Sequence, residues 1–341
     1  MTTLLKPYTA KCCGKARVSV IGPDASDNRL KQLLIINSDI CLSCHSSTAK
    51  LQKGEKMSFW IDREGKVEAV GEATNSWASQ CQSKVVKKLA ETRTEKQFIF
   101  LEDIVSIYRK PCVIDLKMGT RQYGDTATAE KKLSQTQKSE SSTSGSLGVR
   151  IVGMQVFDTE KESYSSVNKY EGRELSEMGF CEKLRLFFSR AGNKRCKVLL
   201  DKLTGLHNSL LQANGFRFFS SSILMAFEGD SNGDTDVVSL SMIDFAHSTF
   251  NGFMEEDIVY GGVDEGYIHG VEHLSDILRS IYHGPNSYEL LLEKYKFYDN
   301  HKYVNRLLSE QEMLVASEDD DDDDDHQISY QKEVPKDKVA A

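Results

Sequence analysis

No stretch of this 341-residue chain approaches the roughly 20 consecutive apolar residues of a membrane-crossing helix. The longest apolar runs, such as Leu33 to Ile36, are strand-sized. Residues 1–20 lack a hydrophobic segment of the secretory type, so no export signal is expected. Membrane, fibrous and secreted classes are thereby disfavoured. Several general signatures are missing as well. There is no G-x-x-x-x-G-K-[ST] phosphate loop and no G-x-G-x-x-G turn. There is no G-x-S-x-G elbow and no H-E-x-x-H helix. A P-loop NTPase, Rossmann oxidoreductase, serine hydrolase or zincin is not expected. No basic stripe interleaved with aromatics points to nucleic acid.

Charge of one sign is scarce outside one run. Lys and Arg number 43 against 51 Asp and Glu, and Glu318 to Asp325 supplies eight of the acids. The rest of the chain is therefore neutral, and the acidity belongs to the tail. Like charges in one block repel, so residues 311–341 are expected to form an acidic, disordered tail, which keeps the protein soluble or meets a basic protein partner. With no export signal, the eight cysteines are expected in a reducing compartment, cytoplasmic or nuclear, without a disulfide framework. Cys12, Cys13, Cys41 and Cys44, with His45, are the only grouping that suggests structural zinc. The long gap between the pairs favours buried or exposed free thiols instead.

What is present suggests an α+β chain. At 39% apolar and 28% charged residues it can bury a core. Short β-rich runs at Arg17–Ile21, Leu33–Asn37, Met57–Ile61, Val67–Val70 and Gln97–Leu101 are punctuated by glycine and predict a sheet-rich first part. A helix is expected over Trp77–Glu91. Strands are expected at Cys112–Leu116, Gly148–Asp158, Ser165–Tyr170, Phe216–Phe227 and Val237–Phe245. Helices are expected over Thr126–Ser139, Phe180–Arg190, Lys197–Gln212, Gly266–Tyr282 and Tyr288–Leu308. Ser139–Ser146 is expected to be a serine-rich loop. The expected division is an N-terminal lobe and hinge over 1–103 and a larger mixed lobe over 104–310.

Four stretches carry chemistry. In Pro111-Cys-Val-Ile-Asp115-Leu-Lys117-Met-Gly119, strand alternation puts Asp115 and Lys117 on one face. An acid and a cation there can orient an acceptor and hold a phosphate, or simply pair at a strand edge. Lys131, Gln135 and Lys138 follow at helical spacing. From Ile104 to Arg150 there are eight Lys/Arg against four Asp/Glu, a local excess suited to a polyphosphate, or to a solvated helix face. Met242-Ile-Asp244-Phe-Ala-His247 places a carboxylate directly after an apolar strand, as in phosphotransferases that hold magnesium, or as an ordinary turn aspartate. Ser220-Ser-Ser222-Ile-Leu opens another apolar strand.

In this order the four stretches resemble the inositol polyphosphate kinase family, whose signature is P-x-x-x-D-x-K-x-G, then S-S-L-L, then I-D-F. Ile223 replaces the first leucine of the second motif. The continuation G-T-R-Q-Y-G-D, together with I-D-F-A-H, N-K-Y-x-G-R (Asn168 to Arg173) and D-x-G-Y-I-x-G (Asp264 to Gly270), is most like the inositol hexakisphosphate kinases. The match covers about residues 97–282.

The resemblance implies a two-lobed fold distantly like protein kinases, built from antiparallel sheets with helices, with ATP in a cleft between the lobes. It implies that backbone groups of Glu102 and Ile104 read adenine, and that Asp115, Ser222 and Asp244 lie at the nucleotide. Asp244 would hold Mg2+. Asp115, Lys117, Asp244 and His247 would be the catalytic group, and Lys117, Arg121, Lys131 and Gln135 would bind the acceptor. Lys6-Pro7-Tyr8 and Gly14 resemble the family's K-P-F…G-G-H stretch, with one glycine where the family has two. Lys31 is the candidate for its phosphate-binding lysine. The implied activity is an ATP-dependent inositol hexakisphosphate kinase making an inositol pyrophosphate. A multikinase acting on lower inositol phosphates, or a catalytically weak inositol-phosphate-binding scaffold, are the alternatives. Neither a membrane nor a nucleic acid is an expected partner.

Overall fold

The first sheet of the computed structural model follows the β-rich beginning of the sequence. The structure describes residues 3–21, 30–40, 56–61, 67–69, 96–230, 236–253 and 258–296. Strands β1 (Cys12–Ile21), β2 (Leu30–Ile40), β3 (Lys56–Ile61), β4 (Val67–Ala69) and β5 (Lys96–Leu101) form an antiparallel sheet in the order β4-β3-β2-β1-β5. The helix expected over 77–91 lies outside the described residues.

After a turn-rich segment, β6 (Pro111–Met118) enters a second five-stranded sheet with β7 (Val149–Asp158), β8 (Ser163–Val167), β10 (Ser222–Glu228) and β11 (Val238–Ile243). Its order is β11-β10-β6-β7-β8, and every described neighbour is antiparallel. A short pair, β9 (Phe216–Arg217) with β12 (Thr249–Phe250), stands apart. One face of the second sheet is covered by helices. Ile114, Leu116, Met118, Ile151, Ile223, Met225 and Phe227 are buried against side chains such as Leu184, Phe187, Leu203, Leu274 and Leu278.

Those helices begin where side chains satisfy the free N–H groups of the first turn. In α1 (Ala129–Glu140), Thr128 accepts from Lys131 N–H, and a one-turn α2 (Thr143–Leu147) follows. Asn168 and Glu171 form a capping box on α3 (Lys169–Glu174). Ser176 caps α4 (Glu177–Ala191), whose end passes through Gly192 into α5 (Asn193–Leu210). Asp264 caps α6 (Glu265–His283), which buries Val271, Leu274, Ile277 and Leu278 at helical spacing. A further helix, α7, covers 285–296.

Two expectations are corrected here. Ser139–Ser146 is not a loop: α1 runs to Glu140 and α2 starts at Thr143. The strand expected over Phe216–Phe227 is two strands, parted by Phe218–Ser221, where Ser220 has φ 64°.

Candidate active site

The other face of the second sheet carries the polar residues. Alternation along β6 sends Val113, Asp115 and Lys117 to the side opposite the helices. Cross-strand register extends the pattern. Lys117 stands opposite Ser222 on β10 and Arg150 on β7, so Ser222, Lys117 and Arg150 form one row. Asp115 stands opposite Leu224 and Gly153, beside an irregularity in the β6–β7 pairing between Asp115 and Leu116. Further along the face the surface becomes apolar. Tyr108, Val113, Leu224 and Ala226 form a small buried cluster, with Ile104, Val105 and Ile243 packed against it. One platform therefore has a charged end and an apolar end.

Asp244 joins the charged end. It follows β11, whose last residue, Ile243, pairs with Ser222. Its φ is 60°, a left-handed conformation uncommon outside glycine. Ser220, two residues before β10, is also left-handed. Such strain, with two non-glycine residues at neighbouring strand ends, is characteristic of functional turns.

Electrostatics tie these groups together. Burial pushes the Asp115 carboxyl up to about 6, and the negative charge of Asp244 acts in the same sense. A hydrogen bond from Ser222 and the positive charges of Lys117 and Arg150 oppose the rise. Lys117, Arg150, Ser222 and Asp244 thus all act on Asp115. Asp115 Oδ1 is enclosed without a hydrogen-bond partner, so the Ser222 hydroxyl bonds the other oxygen. A buried carboxylate oxygen without a partner is costly and rare unless a ligand completes it.

The turn after β6 brings in His247. Gly119 has φ 88°, and its N–H donates to the Gly148 carbonyl at 2.7 Å. Gly124 lies against the His247 ring so closely that an added Cβ would come 3.2 Å from Nδ1. Ser139 Oγ donates to the Thr120 carbonyl at 2.6 Å and fastens the end of α1 to the same turn. On α1, Gln135 is buried, whereas Lys131 is half-exposed and makes no ion pair with a described residue. Arg121 is occupied by protein groups. It bonds the Tyr123 carbonyl, the Tyr260 hydroxyl and Asp125, with its guanidinium 3.9 Å over the Phe219 ring. A concavity of about 370 Å³ opens beside it, lined by Gly119, Thr120, Arg217, Tyr260 and Glu265. That concavity does not include Asp115, Lys117 or Asp244.

At the apolar end runs the segment after β5. Glu102 N–H donates to the Lys11 carbonyl at 2.8 Å, and Lys11 N–H donates to Glu102 Oε2 at 3.3 Å. The Glu102 carbonyl and the Ile104 N–H, two residues apart, make no hydrogen bond with a described residue. Lys31 lies in β2 opposite Phe59, and its side chain is outside what is described. Cys41, Cys44 and His45 also lie outside the described residues, as does the Cys13 side chain, while Cys12 is an exposed free thiol. Among the described residues no three His, Cys, Asp or Glu side chains gather as a metal cluster.

These donors fit Mg2+ carried by a nucleotide. Magnesium takes one or two carboxylates plus phosphate oxygens and water, rather than a full protein cage. Asp244, exposed at the platform edge, and the unsatisfied Asp115 Oδ1 are oxygen donors of that kind. Arg150 did not stand out in the sequence. The available signal was an arginine between two core residues, Val149 and Ile151, in a strand of otherwise apolar alternation.

A family model described as inositol polyphosphate kinase matches residues 98–279, a little over half of the chain. The chain is 37% identical over 260 residues to inositol hexakisphosphate kinase 3 of Mus musculus, covering 71% of this chain and 64% of that one. It is 35% identical over 268 residues to inositol hexakisphosphate kinase 2 of Homo sapiens, covering 68% and 63%. It therefore spans under two thirds of the length of these relatives. A solved structure of inositol phosphate multikinase Ipk2 from S. cerevisiae, in complex with ADP and Mn2+, is 29% identical with a TM-score of 0.46, covering 54% of this chain and 83% of that one. At that score the family assignment rests on the sequence matches.

Proposed function

The chain belongs to the inositol polyphosphate kinase family, and from that footing we propose that it transfers the γ-phosphoryl group of ATP to inositol hexakisphosphate. An acceptor phosphate oxygen attacks the γ-phosphorus, the bond to the β-phosphate oxygen breaks, ADP leaves, and a diphosphate is formed on the ring. The reading is carried by one observation: Asp115, Lys117, Ser222, Arg150 and Asp244 share the charged end of a platform whose other end is apolar. The names of the relatives support the acceptor.

In this reading adenine lies over Val113, Leu224 and Ala226, with the Glu102 carbonyl accepting from it and the Ile104 N–H donating to it. The triphosphate then points toward Ser222 and Asp244. Asp244 would hold Mg2+, which supplies charge neutralisation at the β- and γ-phosphate oxygens. Lys117, with Lys131 and Gln135 from α1, holds the acceptor phosphates and offsets their repulsion with the nucleotide. Arg150 adds a second cation beside Lys117. A phosphate acceptor is already ionised, so little general-base help is needed. Asp115 orients the groups around it through Ser222 and Lys117, and His247 braces the Gly119–Asp125 turn.

The test is incubation with ATP, Mg2+ and a panel of inositol phosphates, with chromatographic separation of products. The hexakisphosphate should be consumed with ADP release. Asp244→Asn should lower kcat by about 100-fold or more and leave the melting temperature unchanged, because asparagine also tolerates the left-handed turn. Normal turnover by that variant would refute the metal assignment. Consumption of lower inositol phosphates alone would refute the acceptor.

A further inference from the structure

We propose that Ser239, held by Tyr108, is a positioning residue that sets the nucleotide-base specificity of the hinge. This inference rests on the hinge reading above and names what makes that hinge rigid. Ser239 lies on β11 opposite Ala226, so it faces the apolar end of the platform. Its hydroxyl donates to the Ile104 carbonyl at 3.0 Å. A serine has one proton to give, so the Tyr108 hydroxyl, 2.9 Å away, is the donor to Ser239 Oγ. Burial raises the Tyr108 phenol above its usual range and keeps it a donor at any working pH. The result is a directed chain, Tyr108 O–H to Ser239 Oγ to Ile104 carbonyl, in which each bond polarises the next.

The other end of the same peptide group is fixed as well. Val105 N–H donates to Asp103 Oδ1 at 3.0 Å. The Ile104–Val105 peptide is therefore pinned at its carbonyl by Ser239 and at its N–H by Asp103. One rotatable bond pair separates this plane from the Ile104 N–H, the group assigned to adenine. Glu228 secures the exit of the segment, accepting from Arg109 N–H at 2.6 Å and from Lys110 N–H at 3.0 Å. Freed of Ser239, the Ile104 carbonyl could rotate toward the ligand. The hinge would then present an acceptor where adenine needs a donor. Ser239 touches no substrate in this arrangement; its effect passes through Ile104.

The test uses the full chain with Ser239→Ala, Ser239→Thr and Tyr108→Phe. Calorimetric titration with MgATP and MgGTP is paired with steady-state kinetics. Ser239→Ala should weaken MgATP binding about five- to tenfold, the loss of one buried hydrogen bond. MgGTP binding should not weaken, because guanine N1–H can donate to a released Ile104 carbonyl, so the preference for ATP falls by at least the same factor. In kinetics the change should fall on KM for ATP, with KM for inositol hexakisphosphate and kcat held. Ser239→Thr restores the hydroxyl and should return ATP binding to within about twofold. Tyr108→Phe, which leaves Ser239 its proton, should give a smaller loss than Ser239→Ala. Unchanged ATP binding in Ser239→Ala, or equal weakening for ATP and GTP, would overturn the proposal. If inositol hexakisphosphate proves not to be the acceptor, the nucleotide titrations still decide the role of Ser239.

Discussion

At Asp115 burial and charge pull in opposite directions. Enclosure disfavours the carboxylate, while Ser222, Lys117 and Arg150 favour it, and the balance leaves the carboxyl near 6 against 3.8 for an exposed aspartate. A carboxyl raised on folding stabilises the fold fully below about 3.8, and that contribution is lost as pH climbs through about 6. Asp115→Asn removes the titration. In metal-free protein, the melting temperature of the variant minus that of the wild type should grow as pH rises from about 4 to about 7, then level off. A difference independent of pH would mean that Asp115 is not held in this environment. The placement of Asp115 and Lys117 on one face was legible in the sequence, because period-two alternation needs only the strand. The position of the Asp115 carboxyl near 6 was not, because it balances burial in the folded sheet, with Asp244 adding to the rise, against Ser222 and Arg150, and those residues come from three other parts of the chain.

Segments show where reading by composition fails. Ser139–Ser146 looks polar and solvent-facing, yet Ser142, Thr143 and Ser144 are fully buried. Two of these hydroxyls find backbone partners close by: Ser142 Oγ donates to the Ser139 carbonyl at 3.1 Å, and Thr143 Oγ1 to the Val149 carbonyl at 2.7 Å. A hydroxyl satisfied locally can be buried at little cost, and composition does not reveal that. In Phe216–Phe227 two apolar stretches flank Ser220-Ser-Ser222, and a left-handed Ser220 divides them. By contrast, α4, α5 and α6 were placed to within about four residues at each end, since long amphipathic periodicity survives any tertiary context. The docking of α3 on β7 depends on Gly172, where an added Cβ would collide with the Ile151 carbonyl oxygen. Backbone cannot yield as a flexible side chain can. Gly172→Ala should therefore lower the melting temperature by at least about 5 °C, read by calorimetry. No loss would mean that α3 shifts freely on the sheet.

Over the whole molecule, charge is distributed unevenly rather than in excess. Outside the run Glu318–Asp325 the acids and bases balance at 43 each. Within that neutral background, Lys117 and Arg150 stand as cross-strand neighbours of like sign, both only 6% exposed. Like charges directly opposite on adjacent strands destabilise a sheet. Two buried cations in one row at the charged end of the platform suit an anionic ligand. The assignment to the inositol polyphosphate kinase family agrees with that chemistry.

The most direct measurement is phosphorus NMR of the product formed from inositol hexakisphosphate, ATP and Mg2+. The expected result is a pair of coupled resonances in the phosphoanhydride region, formed with ADP in equal amount and absent with Asp244→Asn. Recovery of the hexakisphosphate unchanged, with no phosphoanhydride signal while ATP binding is intact, would contradict it.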